Sequence, residues 1–209
     1  MEKSKIILAS GSPRRKELLL QIGIVPEIIV SHVEEKITSD VPAEVVMSLA
    51  EQKAVDVAKE MLEGTVILGS DTVVAADGKI LGKPKSHEEA YEMIRRLAGR
   101  SHQVYTGVCL VKKGPEGEAD TVVSFYDETD VNVSPMTEKE IREYADSEEP
   151  MDKAGAYAIQ GGAGKWVTQV RGSRSNVIGL PWDTTQRLLQ AAGVPVDAGN
   201  EQDGMVAWR

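Results

Sequence analysis

Short apolar runs and segments with apolar residues at helical spacing follow each other along the chain, and their order predicts the elements. The apolar run at residues 6–9 predicts a strand, which a small polar turn separates from leucines at helical spacing. Ser12 is the predicted N-cap of this first helix, and Pro13 is its first residue. A second strand is expected at residues 26–30, and a long helix follows at about residues 43–62.

The segment at residues 65–82 is strongly apolar but interrupted by small and polar residues. It predicts a strand that breaks at residues 69–71, followed by a short hairpin with Asp77 and Gly78 in its turn. The break would leave the residues beside it at a strand end, where side chains can face a cleft.

Two capping boxes mark further helices, one starting after Ser86 and one after Thr137. Long strands are expected at residues 101–113 and 121–133, and a last helix lies within residues 179–193. Strands and helices interleave, yet the two long strands are neighbours in sequence. The pattern therefore predicts an α/β fold with a mixed sheet flanked by helices.

The composition is that of an ordinary globular protein. The chain has 209 residues, of which 41% are hydrophobic and 27% are charged. We expect one domain at residues 1–196, built as two lobes, and a polar C-terminal tail at residues 197–209. No apolar run approaches the roughly 20 residues that span a bilayer, and the N-terminus lacks the apolar core of a signal peptide. The single cysteine, Cys109, is expected to be a buried thiol, and these features together favour a cytoplasmic protein.

The net charge restricts the possible ligands. It is −9 at pH 7, whereas a general nucleic-acid binder is usually basic. An acidic protein can still bind a small anion, but it has to gather its cations at one place. An anion site in this chain therefore requires a local basic cluster.

Common catalytic and nucleotide-binding motifs are absent from the sequence. There is no dinucleotide fingerprint, no P-loop and no nucleophile elbow. The three histidines, His32, His87 and His102, are scattered and lack zinc spacing. The chemistry therefore has to come from arginine, lysine and carboxylate side chains.

The start of the first helix is one candidate for an anion site. Ser10 and its neighbours place hydroxyl and backbone N–H groups at a helix N-terminus. Arg14 and Arg15 lie in the first turn, where each exposed cation costs roughly 0.3–1 kcal/mol against the helix dipole. A bound polyanion would reverse that penalty. The alternative is that both arginines are solvated surface residues.

Four other charged residues could complete such a site. Asp71 follows an apolar strand and could face a cleft, or it could cap a turn. Glu35 could be a solvated charge, and Lys53 could simply extend its stem along the helix surface. Lys83 precedes a proline that stiffens its position, which is a weak signal by itself. Together with the arginines they match the inventory for a triphosphate held by cations and a divalent metal held by carboxylates. No side-chain nucleophile is evident, so water is the expected attacking group.

Several motifs resemble the Maf family of nucleoside triphosphate pyrophosphatases in order and spacing. They are "LASGSPRRKELL", "QKA", "GSDTVV", "GKP", "AGRSHQVYTGV", "EPMDKAGAYAIQG" and "VIGLP", and they cover about residues 7–181. The resemblance implies an inosine-triphosphatase-like fold, an elongated mixed sheet with two lobes and a central cleft. It also implies a cytoplasmic enzyme, often a homodimer, that uses a divalent cation (Mg or Mn) to hydrolyse nucleoside triphosphates to the monophosphate and pyrophosphate.

The same resemblance assigns roles to individual positions. Asp71 matches the proton acceptor, and Glu35 matches an acidic residue near the metal, which Asp71 would also bind. Five positions match polar residues that face the phosphates: Ser10, Arg14, Arg15, Lys53 and Lys83. Three positions match those at which the dTTP/UTP branch discriminates its base: Arg14, Thr72 and Gln160. Ala158 departs from the pattern, since glycine is more usual there.

The resemblance therefore predicts hydrolysis of dTTP and UTP, with modified pyrimidine nucleotides as further substrates in a house-cleaning role. One alternative is a nucleotide-binding regulator of septum formation and cell division that does not need turnover. The other is a nucleic-acid-binding protein, which the charge of −9 disfavours.

Overall fold

One mixed sheet of seven strands forms the centre of the protein. The computed structural model describes residues 6–196. The strands are Ile6–Leu8 (β1), Glu27–Ile28 (β2), Val66–Ala76 (β3), Lys79–Leu81 (β4), Ser101–Lys112 (β5), Thr121–Val133 (β6) and Val167–Arg171 (β7). Their order is β2-β1-β3-β5-β6-β7, with β4 paired to β3. β1 runs parallel to β2 and β3, and the other pairs are antiparallel. The predicted α/β class with a mixed sheet is confirmed.

Helices cover both faces of this sheet. They are Pro13–Gln21 (α1), Pro42–Ala58 (α2), His87–Leu97 (α3), Glu138–Ala145 (α4), Arg174–Ile178 (α5) and Trp182–Ala191 (α6). α1 begins as predicted, with Pro13 first and the Ser12 hydroxyl accepting a hydrogen bond from the amide of Arg15. The capping box of α4 is also present, with reciprocal bonds between Thr137 and Glu140.

Strand β3 continues through residues 69–71, so the predicted break was wrong. Its pairing with β5 includes all three residues. Gly69 is required because α2 crosses the strand here. A Cβ atom at this position would lie against the carbonyl oxygen of Ala50 and 3.0 Å from the amide nitrogen of Ala54. A glycine at a close helix–strand contact looks the same in sequence as a glycine in a turn.

Element boundaries and short elements account for the other differences. α2 ends at Ala58 instead of near residue 62, because the following amides bond three residues back, as Met61 N does to Ala58 O at 3.1 Å. β7 and α5 were not predicted, since five residues each are too few to show a hydrophobic period. The predicted hairpin turn is confirmed, with Asp77 at φ 50° and Gly78 at φ 70°.

The core lies on both faces of the sheet. α1 and α6 pack leucines and isoleucines against one face, and α2 packs small residues against the other. Cys109 is wholly buried beneath α2, as predicted, and burial raises its pKa to about 11, so its thiol is unreactive near neutral pH. None of the helices within residues 6–196 is long and apolar enough to span a bilayer. The predicted tail at residues 197–209 lies outside the described residues, and the one-domain division stays a prediction.

One edge of β3 changes its neighbour partway along the strand. β1 pairs with residues 66–68 and β4 pairs with residues 74–76. Within the described chain, residues 69–73 have no strand neighbour on this edge. The chain leaves β1 at this point and turns into α1, so the helix N-terminus faces the open segment. Such a change of strand partner is a common position for a ligand crevice.

Candidate active site

A cleft of about 410 Å³ lies at the open edge of β3. It is bordered by the N-terminus of α1, by α2, and by the loop at residues 152–160. All the site residues predicted from the sequence line it: Ser10, Arg14, Arg15, Glu35, Lys53, Asp71, Thr72, Lys83 and Gln160. The fold therefore brings the predicted residues together, while their individual roles stay predictions.

Arg15 connects three elements at the bottom of the cleft. Its Nη1 donates to Ser10 Oγ at 2.9 Å, its Nη2 to Thr72 Oγ1 at 3.2 Å, and its Nε to the carbonyl of Gly179 at 2.8 Å. Burial lowers the pKa of Arg15, and the negative charge of Asp71 opposes that effect. Three of its five N–H donors are thus used within the protein: two hold Ser10 and Thr72 in place, and the third bonds the Gly179 carbonyl.

Lys53 lies between two carboxylates. Its Nζ is 2.5 Å from Asp71 Oδ1 and 3.1 Å from Glu35 Oε1. The lysine comes from α2, Asp71 from the open part of β3, and Glu35 from the loop before α2. Its ammonium group therefore belongs to a charged cluster in the cleft, and its stem does not simply extend over the helix surface.

Thr72 belongs to a chain of hydrogen bonds that starts at Arg15. Its Oγ1 lies 2.9 Å from Thr106 Oγ1, and the Thr106 hydroxyl donates to the carbonyl of Asn176 at 2.9 Å. Thr106 has one proton and uses it on Asn176, so Thr72 has to donate to Thr106. The Thr72 hydroxyl can therefore only accept a further hydrogen bond from the cleft.

Two charged residues of the cleft were not singled out from the sequence. Lys153 donates to Asp152 Oδ1 and to the carbonyl of Glu149, both at 2.6 Å. Partial burial raises the pKa of Asp152, but the hydrogen bond from Lys153 and the charges of Lys153 and Arg14 outweigh it, and the net shift is downward. Both residues stand in the motif "EPMDKAGAYAIQG", and an adjacent acid–base pair before a small-residue turn was the available signal.

An aromatic pair adjoins the cleft, and Tyr157 is the member that lines it. His102 is wholly buried on β5, and its Nε2 lies 2.7 Å from the hydroxyl of Tyr157. Burial lowers the pKa of His102 from 6.5 to about 4, with Asp130 acting in the opposite direction. Burial also raises the pKa of Tyr157. Both side chains are therefore uncharged near neutral pH.

The buried histidine should make the protein sensitive to acid. In the unfolded chain His102 takes up a proton below about pH 6.5, whereas in the fold it resists protonation down to about pH 4. Its contribution to stability is therefore complete above pH 6.5 and decreases as the pH falls, by about 3 kcal/mol in full. We expect a His102→Gln variant to lose stability less steeply than wild type between pH 7 and pH 4.5 in urea titrations. Equal pH slopes would contradict this assignment.

The charges in the cleft suit a polyanion with a divalent cation. Five cationic side chains and three carboxylates line it, although the chain as a whole carries −9. Residues 6–196 contain no group of three or more metal-binding side chains. However, Glu35 and Asp71 already share one ammonium ion. Two carboxylates completed by phosphate oxygens and water are the usual environment of Mg²⁺, so the residues fit a cation that arrives with a triphosphate.

Comparisons with known proteins give a consistent assignment. The family model described as Maf-like protein matches residues 5–192. A protein of Lachnoclostridium phytofermentans named dTTP/UTP pyrophosphatase is 48% identical over 177 residues, which are 85% of this chain and 89% of that protein. A Bacillus cereus protein of the same name is 47% identical over 193 residues, 92% of this chain and 97% of that one.

Two solved structures are more distantly similar. The Ham1 protein of Staphylococcus aureus is 16% identical and matches 62% of this chain and 72% of that chain with a TM-score of 0.43. The HAM1 protein of Coxiella burnetii is 15% identical, and the match covers 64% of this chain and 74% of that chain with a TM-score of 0.42. The family match, by contrast, extends over most of the chain and agrees with the motifs noted in the sequence. The chain belongs to the Maf-like protein family.

Proposed function

We propose that the protein is a nucleoside triphosphate pyrophosphatase that hydrolyses dTTP and UTP to the monophosphate and pyrophosphate. The observation that carries the proposal is the cluster of Lys53, Glu35 and Asp71 at the open edge of β3, opposite the N-terminus of α1. The names of the relatives that are 47–48% identical support the same reaction. The proposed substrates include modified pyrimidine triphosphates. The cytoplasmic location and the homodimer stay predictions.

The triphosphate would lie along the cationic part of the cleft. The N-terminus of α1 with Ser10 offers N–H and hydroxyl donors, and Arg14, Lys53 and Lys83 offer positive charge. These groups hold the α-phosphorus in line with the attacking water and neutralise the charge that develops on the departing pyrophosphate. Arg15 acts here mainly by fixing Ser10 and Thr72.

Asp71 would take the proton of the attacking water. The water oxygen bonds to the α-phosphorus, and the bond from that phosphorus to the bridging oxygen breaks, so pyrophosphate leaves with the electron pair. A divalent cation held by Glu35, Asp71 and phosphate oxygens would polarise the phosphoryl group and lower the pKa of the water. Lys53 would then give up its contact with Asp71 and turn to the phosphates.

This exchange predicts opposite effects of one lysine on metal and on phosphate. A Lys53→Met variant without nucleotide should bind Mn²⁺ about tenfold more tightly, because one positive charge has left the two carboxylates. The same variant should bind tripolyphosphate more weakly. Calorimetric titration measures both affinities, and Lys59→Met at the end of the same helix is the control. Unchanged Mn²⁺ affinity would rule out competition between the ammonium ion and the metal.

Base choice would depend on Thr72 and Gln160. The Thr72 hydroxyl can only accept from the cleft, which suits the N3–H donor of thymine and uracil and not the N3 acceptor of cytosine. Gln160 is exposed at the rim of the cleft and can both donate and accept.

A Gln160→Ala variant is therefore expected to discriminate less between bases while it binds the phosphates normally. The ratio of kcat/KM for dTTP to that for dCTP should fall about tenfold, the effect of losing one hydrogen bond to a base. The affinity for pyrophosphate should stay within twofold of wild type. An unchanged ratio would remove Gln160 from base recognition.

A substrate panel tests the proposed function directly. Canonical and modified nucleoside triphosphates are incubated with the purified protein and Mg²⁺, and released pyrophosphate and monophosphate are measured. Release from dTTP and UTP supports the proposal. Tight binding of both nucleotides without pyrophosphate release would instead support the regulator, and salt-dependent binding of DNA or RNA in a filter assay would support a nucleic-acid function.

A further inference from the structure

The cleft has a polar part and an apolar part. Beyond the cationic residues its lining becomes aliphatic and aromatic, and we call this part the apolar wall: Val74, Val104, Ala154, Tyr157 and Val177. These five side chains belong to one hydrophobic cluster, which continues into the core beneath β3 and β5. Tyr157 is the aromatic member of the wall.

Tyr157 is held in a defined orientation by His102. The two rings are nearly perpendicular, at 87°, with centroids 5.3 Å apart. The hydroxyl bonds to the Nε2 atom of a histidine that solvent does not reach. The polar end of the tyrosine is therefore turned into the protein, while Tyr157 is one of the residues that line the cleft.

The backbone before Tyr157 is also adapted to this orientation. Gly155 and Ala156 adopt φ values of 66° and 60°, and Ala156 is wholly buried. A left-handed conformation costs free energy at any residue with a Cβ atom, and it persists only where the surrounding structure requires it. Gly155 N donates to the carbonyl of Gly82 at 3.0 Å, which joins this turn to the strand end that precedes Lys83.

We propose that Tyr157 is the residue against which the pyrimidine ring packs, and that His102 is the positioning residue that fixes the tyrosine ring. The inference rests on the proposed function, because it needs a nucleotide whose phosphates occupy the cationic part of the cleft. A planar base beside an aromatic ring gains stacking and apolar contact. The apolar wall then selects for a nucleoside, while the cationic residues bind any polyphosphate.

Two probes separate these contributions. One is the α,β-methylene analogue of dTTP, which carries a base, and the other is tripolyphosphate, which does not. A Tyr157→Leu variant should bind the analogue about tenfold more weakly, the scale of losing one base–aromatic contact. Its affinity for tripolyphosphate should stay within twofold of wild type. Tyr126→Leu, which removes a half-exposed tyrosine from β6 outside the cleft, is the matched control.

The role of His102 is tested by a double-mutant cycle. Tyr157→Phe and His102→Leu each remove the same hydrogen bond. Each variant should therefore bind the analogue more weakly and bind tripolyphosphate as wild type does. The double variant should bind the analogue no more weakly than either single variant does. His102→Gln, whose amide can reach the tyrosine hydroxyl, should restore most of the affinity.

The outcomes distinguish a failure of this inference from a failure of the proposed function. If wild type releases no pyrophosphate from dTTP or UTP, the proposed function fails. If wild type is active but Tyr157→Leu weakens the binding of both probes equally, or changes the binding of neither probe, the base-packing role is overturned. Additive effects of Tyr157→Phe and His102→Leu would overturn the positioning role.

Discussion

Replacing Asp71 with asparagine is expected to remove most of the turnover while nucleotide binding remains. The amide has nearly the same shape as the carboxylate, but it cannot take the proton of the attacking water and is a poor ligand for a divalent cation. Loss of a general base typically lowers the rate about 10²- to 10⁴-fold. We expect kcat for dTTP, measured by pyrophosphate release, to decrease by about 10²-fold or more.

Binding measurements decide whether such a loss is chemical. The substitution leaves the cleft-lining cations Arg14, Lys53 and Lys83 in place, so the affinity for the α,β-methylene analogue should change by less than about tenfold, or 1.4 kcal/mol. Asp146→Asn, at the exposed C-terminal end of α4, is a control for the substitution itself. Turnover near the wild-type value in Asp71→Asn would disprove its role as the proton acceptor.

Replacing Gly107 with alanine is expected to destabilise the fold strongly. Gly107 lies on β5 directly beneath α2, and a Cβ atom there would overlap the carbonyl group of Val46 and lie 2.7 Å from the amide nitrogen of Met47. The obstacle is backbone, which cannot move as a side chain can. We expect the free energy of unfolding to fall by about 3 kcal/mol and the Tm to fall by roughly 10 °C.

The same substitution should also disturb the candidate site. Moving α2 away from the sheet would lengthen the contact of 2.5 Å between Lys53 and Asp71. Gly82→Ala is the matched control for stability, since nothing lies within 4 Å of its added Cβ atom. Thermal unfolding of the three proteins is the measurement, and equal Tm values would contradict the close contact of α2 with β5.

Most elements could be predicted from the sequence because their signals are local. The Ser12 cap with Pro13, the capping box at Thr137 and the turn at Asp77 each depend on residues within a few positions of one another. The prediction failed where a local signal had a distant cause. Gly69 predicts a break in the strand, but its function is to let α2 approach the strand.

The predicted site residues could be recognised by type and by motif, yet the sequence did not show how they interact. Arg15 looked like a phosphate ligand, and in the structure three of its donors are used within the protein, one on a residue 164 positions away. Lys53 had two possible interpretations until its contacts with Asp71 and Glu35 were seen. Tyr157 and His102 both stand in the quoted motifs, but their bond could not be predicted, because it joins positions 55 residues apart.

By itself, the sequence determined the order of most strands and helices, the α/β class, and the need to gather cations in a chain of charge −9. Only the tertiary structure decided that β3 changes its neighbour at residues 69–73, that Lys53 bridges two carboxylates there, and that an apolar wall adjoins them. The physical reason is that periodicity and capping act over one or two turns of chain. The electrostatic and packing energies of a site instead depend on distances between segments that are remote in sequence.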